Sequence, residues 1–137
     1  MSDGRFVFDT NAIVSAVLLK QSVARQAFDK ALAKGRLLIS LATVDELNEV
    51  LRRDKFNKYI REEERLEFLA ALIREAILIE ITVTITDCRD PKDNKFLELA
   101  VSGDAECIIS GDNHLLSLQP FRGITILSPG DFSEQTQ

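Results

Sequence analysis

A chain of 137 residues, 45% hydrophobic and 28% charged, has the length of one domain and the composition of a folded one, which excludes a disordered protein. A net charge of −5 at pH 7 excludes a protein that holds nucleic acid through phosphate contacts over a broadly basic surface. No apolar run is long enough to cross a bilayer and the first residues lack the basic start of a secretory signal, so a cytoplasmic protein is expected.

Phe6-Val7-Phe8 reads as a short buried strand that ends in Asp9-Thr10-Asn11. Asn11 is placed to cap a helical stretch over Ala12–Leu19. A helix from Ser22 to about Ala33 carries Val23, Ala27, Ala31 and Leu32 near helical spacing, and Gly35 is its stop. Leu37-Leu38-Ile39 is a second buried strand. Ser40 or Thr43 then caps a helix whose apolar stripe is Val44, Leu47, Val50 and Leu51. Arg52 to Tyr59 is polar and helical or turn-like. Glu62-Glu63-Glu64 opens a longer amphipathic helix with Leu66, Leu69, Ile73 and Ile77, its acids placed where the helix dipole favours them.

Ile79 to Val83 alternates as an edge strand should, and Asp87 to Pro91 is a loop. Asp93 leads a helix with Phe96, Leu97, Ala100 and Val101 on one face, ended by Gly103. Cys107-Ile108-Ile109 is the next buried strand; with only Cys88 besides, and no CxxC pair, packed free thiols are expected rather than zinc or a disulfide. Ser110-Gly111-Asp112 turns into a short helix over Asn113–Leu118, and Ile124–Leu127 is the last strand. Strands alternating with helices predict a single α/β domain with a mostly parallel sheet and right-handed crossovers, residues 1–132, followed by a flexible C-terminal tail over 133–137.

Four acids stand where such a sheet gathers its ligands, outside the carboxyl ends of the strands: Asp9 after the first strand, Glu46 early in a helix, Asp93 at a helix start and Asp112 after a strand. Each has a plainer reading. Asp9, Asp93 and Asp112 can be helix caps, and Glu46 sits in a charged run with Asp45 and Glu49 that a solvated face would explain, although only Glu46 flanks the apolar stripe. Carboxylates brought together repel unless a cation lies between them, and hard divalent cations prefer oxygen ligands. His114, the only histidine, has no partner acid at a recognisable spacing and reads as a surface residue. Arg52, Arg53, Lys55 and Lys58 form a local basic cluster, either solvated helix surface or a patch that steers a phosphate backbone toward the acids.

FVFDTNAIVSAVL, then ATVDELNEVLRRDKF, then RDPKDNKFLELAVSGDAECIISGDNHLL, in that order, resemble the PIN domain, and in particular its small prokaryotic branch of toxin components from toxin–antitoxin systems. The resemblance runs from Phe6 to about Ile126. It implies a three-layer α/β/α sandwich and a metal-dependent endoribonuclease using Mg²⁺ or Mn²⁺. It assigns Asp9, Glu46, Asp93 and Asp112 to the catalytic and metal-binding positions, with Asn11, Ser110 and His114 as further candidates nearby. His114 stands where relatives commonly carry another carboxylate. RNA substrate, a homodimer and a small antitoxin partner are also implied. Two alternatives remain: a PIN-like subunit that binds without turnover, and a haloacid-dehalogenase-like phosphatase, which would want a second aspartate where this chain has Asn11.

Overall fold

The computed structural model describes residues 4–135. Five parallel strands form one sheet in the order β3-β2-β1-β4-β5: β1 Gly4–Phe8, β2 Gly35–Ile39, β3 Ile77–Leu78, β4 Cys107–Ile109 and β5 Thr125–Leu127. The first strand lies in the middle because the chain winds outward from it first through β2 and β3, then returns to its other side with β4 and β5. That reversal opens a crevice between the carboxyl ends of β1 and β4.

Side-chain alternation along the strands builds the two faces. Phe6, Phe8, Leu37, Ile39, Cys107 and Ile109 pack against α1 (Thr10–Leu18), α2 (Val23–Lys34), α3 (Leu41–Leu51), α4 (Glu62–Glu75) and α7 (Pro129–Glu134). Val7, Leu38, Ile108 and Ile126 face the other way, onto α5 (Asn94–Ser102) and α6 (Asn113–Leu116). The result is the expected α/β/α sandwich. Edge-to-face ring pairs, Phe6 with Phe132 and Phe8 with Phe28, lock the first face at centroid distances of 5.4 and 5.5 Å. Gly35 does more than stop α2. It pairs with Gly4 across the β1–β2 ladder, and a Cβ there would lie 2.0 Å from the Gly4 carbonyl oxygen.

Several local expectations shift. The third strand lies at Ile77–Leu78, not 79–83, and Ile77 leaves the α4 helix to join it. Beyond the Ile79 N–H, which donates to the Ile39 carbonyl at 2.8 Å, the segment stays extended without a ladder. Its amides go instead to side chains of α5: Thr82 to Ser102 Oγ at 3.0 Å and Ile85 to Glu98 Oε2 at 3.0 Å. The alternation of Ile79, Ile81, Val83 and Ile85 is real, but it packs one side of the chain on the α5 cluster rather than marking a strand. In α4 the buried positions are Leu69 and Leu72, with Leu66 and Ile73 exposed; in α2 they are Ala24, Ala27, Phe28 and Ala31, with Val23 and Leu32 exposed. Helix α6 ends at Leu116, and α1 begins at Thr10. Helix α7 takes in Ser133 and Glu134 of the stretch read as a tail, while Thr136 and Gln137 lie outside the described residues. No helix among the described residues is long and apolar enough to cross a membrane.

Candidate functional site: an acidic crevice at the strand ends

Asp9, Glu46, Asp93 and Asp112 all line one crevice of about 290 Å³ at the carboxyl ends of β1 and β4. Asp9 arrives at the end of β1, fixed by its own N–H donating to the Ile109 carbonyl at 3.1 Å. It caps α1, with Oδ1 accepting from the Ala12 amide at 2.9 Å, so the capping reading is correct; but Oδ2 faces the crevice and accepts from the buried Ser110 hydroxyl. The same Ser110 oxygen accepts from the Asp112 amide at 2.9 Å, which ties the β1 and β4 ends together. Asp112 caps α6 through the His114 amide at 2.9 Å.

Asp93 differs. It occupies the cap position of α5, yet its side chain makes no capping bond. The residue is instead buried, 7% exposed, with its carboxyl turned to Asp112. Burial, the hydrogen bond to Asp112 and the repulsion of Asp112, Asp90 and Asp9 push Asp93 up to about 7. Asp112 moves down, chiefly because Asp93 donates to it. Asp9 is also raised, first by burial, against the lowering effect of the Ser110 and Ala12 bonds. The strand-end acids thus form a coupled set in which Asp93 keeps its proton to higher pH than a free carboxyl, beside an Asp112 that gives its own up more readily.

Glu46 enters from α3, whose start is set by a reciprocal cap: the Thr43 amide donates to Ser40 Oγ at 3.2 Å and the Ser40 amide to Thr43 Oγ1 at 3.0 Å. Its carboxylate does not stand alone. Lys95 Nζ, in the first turn of α5, donates to Glu46 Oε1. Sequence reasoning missed Lys95, since nothing in the spacing links it to a residue forty-nine positions earlier. It missed Lys92, Asp90 and Thr10 as crevice residues too. Glu49, expected to point away, also lines the crevice and pairs with Arg53 at 3.2 Å. A one-turn step on α3 from Glu46 was the signal available for it.

Asn11 is exposed at the rim. Ser110 is fully buried and acts on Asp9 and Asp112. His114 is half-buried rather than a free surface residue; its Nδ1 lies 3.8 Å from Asp112 Oδ1, without a hydrogen bond. Of the basic cluster, only Arg53 reaches the crevice. Lys55 and Lys58 lie over the rings of Phe56 and Tyr59 at 5.2 and 5.3 Å, and Arg52 is exposed. A larger hollow of about 490 Å³ between α2, β2 and α4 is lined mainly by apolar side chains such as Phe28, Leu37, Phe68 and Leu72.

The donor set is entirely oxygen, the chemistry that Mg²⁺ and Mn²⁺ favour. As the side chains stand, no three His, Cys, Asp or Glu among the described residues are arranged to hold an ion. The Asp93 carboxyl turns to that of Asp112 instead, its pKa raised by burial and by that neighbour. In donor chemistry, Asp9, Asp93 and Asp112 fit a hard divalent ion.

A parallel α/β sandwich with an acidic crevice at the turn of its strand order is the architecture of PIN domains. The PIN domain family model matches residues 5–114, and the chain belongs to that family. Among its relatives, the uncharacterized protein MJ1680 of Methanocaldococcus jannaschii is 29% identical over 119 residues, covering 84% of this chain and 75% of that protein. Among solved structures, a chain of VapBC2 from Rickettsia felis, bound to a DNA fragment from its promoter, superposes with a TM-score of 0.59 over 89% of this chain and 96% of that one. At 11% identity, that likeness shows the shared fold. Family membership takes the place of the phosphatase alternative.

Proposed function

We infer that the chain is a metal-dependent endoribonuclease whose centre is the crevice, with Asp9, Asp93 and Asp112 holding a Mg²⁺ or Mn²⁺ ion. The carrying observation is that Asp93, free of the cap it could have made, turns into the crevice to meet Asp112 and Asp9. PIN domains are in general nucleases. When bound, such an ion acidifies water and offsets charge on a phosphate. The chain's own residues do the rest. Ser110 and the Ala12 amide hold the Asp9 carboxylate in one orientation. Asp93 and Asp112 stand beside Asp9 at the strand ends, where they would hold the ion. Lys92 and Arg53, both at the crevice, supply cationic contacts for a phosphate backbone in a chain that is acidic overall. Hydrolysis needs no covalent protein intermediate: water oxygen bonds to phosphorus, the ester P–O bond breaks, and the leaving sugar oxygen takes a proton.

RNA as the substrate, a homodimer and a role as the toxin of a toxin–antitoxin pair complete the reading. It is supported by the family and by the fold shared with a VapBC2 chain. An antitoxin that inhibits at this crevice would present a guanidinium or ammonium group to the acids. The test is incubation of the purified chain with total cellular RNA in Mg²⁺, Mn²⁺ or EDTA, beside Asp9→Asn. Cleavage is expected only with metal and an intact Asp9; cleavage that persists through both chelation and the substitution would refute the assignment.

A further inference from the structure

We propose that Lys95 is the fixed counter-ion of Glu46: its ammonium holds the Glu46 carboxylate out of metal coordination, so that one divalent ion is confined to Asp9, Asp93 and Asp112. This rests on the metal-centre reading above. Lys95 occupies the second position of α5, where the positive end of the helix disfavours a cation. An uncompensated ammonium would turn away into water. Instead its long side chain crosses to α3, packs beside the Phe96 ring at 5.8 Å and donates to Glu46 Oε1, with both side chains less than a quarter exposed. Among the described residues, the pair is the one ion pair between α3 and α5.

The consequence is a division of the acids into two halves. On the strand-end side, Asp9, Asp93 and Asp112 make no ion pair with a lysine or arginine among the described residues, and Lys92 acts on Asp112 only from a longer distance. On the helix side, Glu46 has a tethered positive charge that cannot diffuse away. A divalent ion reaching for Glu46 must displace that charge and leave it unpaired in a partly dry crevice. An ion at the strand-end acids has no paired ammonium to displace. The ammonium meanwhile keeps a positive charge beside the place where an RNA phosphate would lie, which a second ion would otherwise supply.

The experiment is Mn²⁺ binding to the full chain at neutral pH, read by calorimetry and electron paramagnetic resonance, for the unaltered protein, Asp93→Asn, Glu46→Gln and Lys95→Gln. Asp93→Asn should weaken Mn²⁺ by about 10-fold or more, as loss of a group at the ion does. Glu46→Gln should weaken Mn²⁺ clearly less than Asp93→Asn, since it removes no group at the ion and acts only through the ammonium it leaves unpaired. Lys95→Gln frees Glu46 and should tighten Mn²⁺ binding or add a second ion. A merely structural lysine would not do this, because its loss loosens a site. In parallel, the thermal stabilities of Glu46→Gln, Lys95→Gln and the double variant in EDTA should fail to add, which reads the pair with no metal present. Glu46→Gln weakening Mn²⁺ as much as Asp93→Asn, Lys95→Gln leaving affinity and stoichiometry unchanged, or additive stabilities in EDTA would overturn the assignment while the metal reading stands. An unaltered chain that takes up no Mn²⁺ would overturn both.

Discussion

Asp93 is the residue whose behaviour separates a cap from a site. Its carboxyl is pushed up to about 7 from a value of 3.8, so between those pH values the folded chain holds a proton that the unfolded chain has released. Folding is then favoured at the acid end of the window, and this contribution is lost as pH rises through the folded value. Asn keeps a donor for Asp112 but has no proton to lose. In EDTA, therefore, the melting temperature of Asp93→Asn relative to the unaltered chain should rise as pH is taken from about 4 to about 7. A difference that stays constant across that range would show that Asp93 is ionised throughout and that burial beside Asp112 does not raise it. Ser110 makes the same point from the other side, since one buried hydroxyl serves Asp9 as donor and the Asp112 amide as acceptor.

At the scale of elements, the site depends on how closely β1 and β2 approach, because β1 carries Asp9 to its place. Gly35 and Gly4 face each other with room for neither Cβ. Gly35→Ala should cost about 3 kcal/mol, the upper part of the range for overpacking, because the obstructing atoms are backbone. Urea denaturation measures it, and a loss below about 0.5 kcal/mol, the scatter of a neutral surface change, would contradict this account of the pairing. The helix and strand order was legible from apolar runs ending in Asp9, Gly35, Gly103 and Asp112. The third strand was not, because alternation from Ile79 to Ile85 is produced equally by a ladder and by a chain lying along α5. The acids at element ends were legible because strand ends converge in a parallel sheet. Lys95 was not, because a lysine in a helix's first turn looks like solvated surface until the crossing of α3 and α5 is known. Glu49 shows the limit of reading a helical wheel for a crevice that spans a full turn.

For the whole molecule, the clustered acids make the unloaded fold less stable than it need be. Mn²⁺ that binds the folded chain alone should raise the melting temperature, by the equivalent of about 2.7 kcal/mol at one hundred times the dissociation constant. Asp93→Asn should blunt that rise, and an equal rise in both proteins would take Asp93 out of the centre. A chain of net charge −5 also favours a basic partner, so expression without one should slow growth if the toxin role is right. Normal growth with abundant, metal-competent protein would remove the toxin role and leave the chemistry untouched. That chemistry has its own signature in the ends it leaves on RNA. Attack by water on phosphorus gives a linear phosphate monoester on one fragment and a free hydroxyl on the other, whereas attack by the ribose 2′-hydroxyl gives a 2′,3′-cyclic phosphate. Mapping the ends of a single-stranded RNA cut by the purified chain in Mn²⁺, with Asp9→Asn as the blank, is the most direct measurement. Linear monophosphate ends that vanish in Asp9→Asn are predicted; cyclic phosphate ends, or linear ends made equally well by Asp9→Asn, would contradict a hydrolytic centre at this crevice.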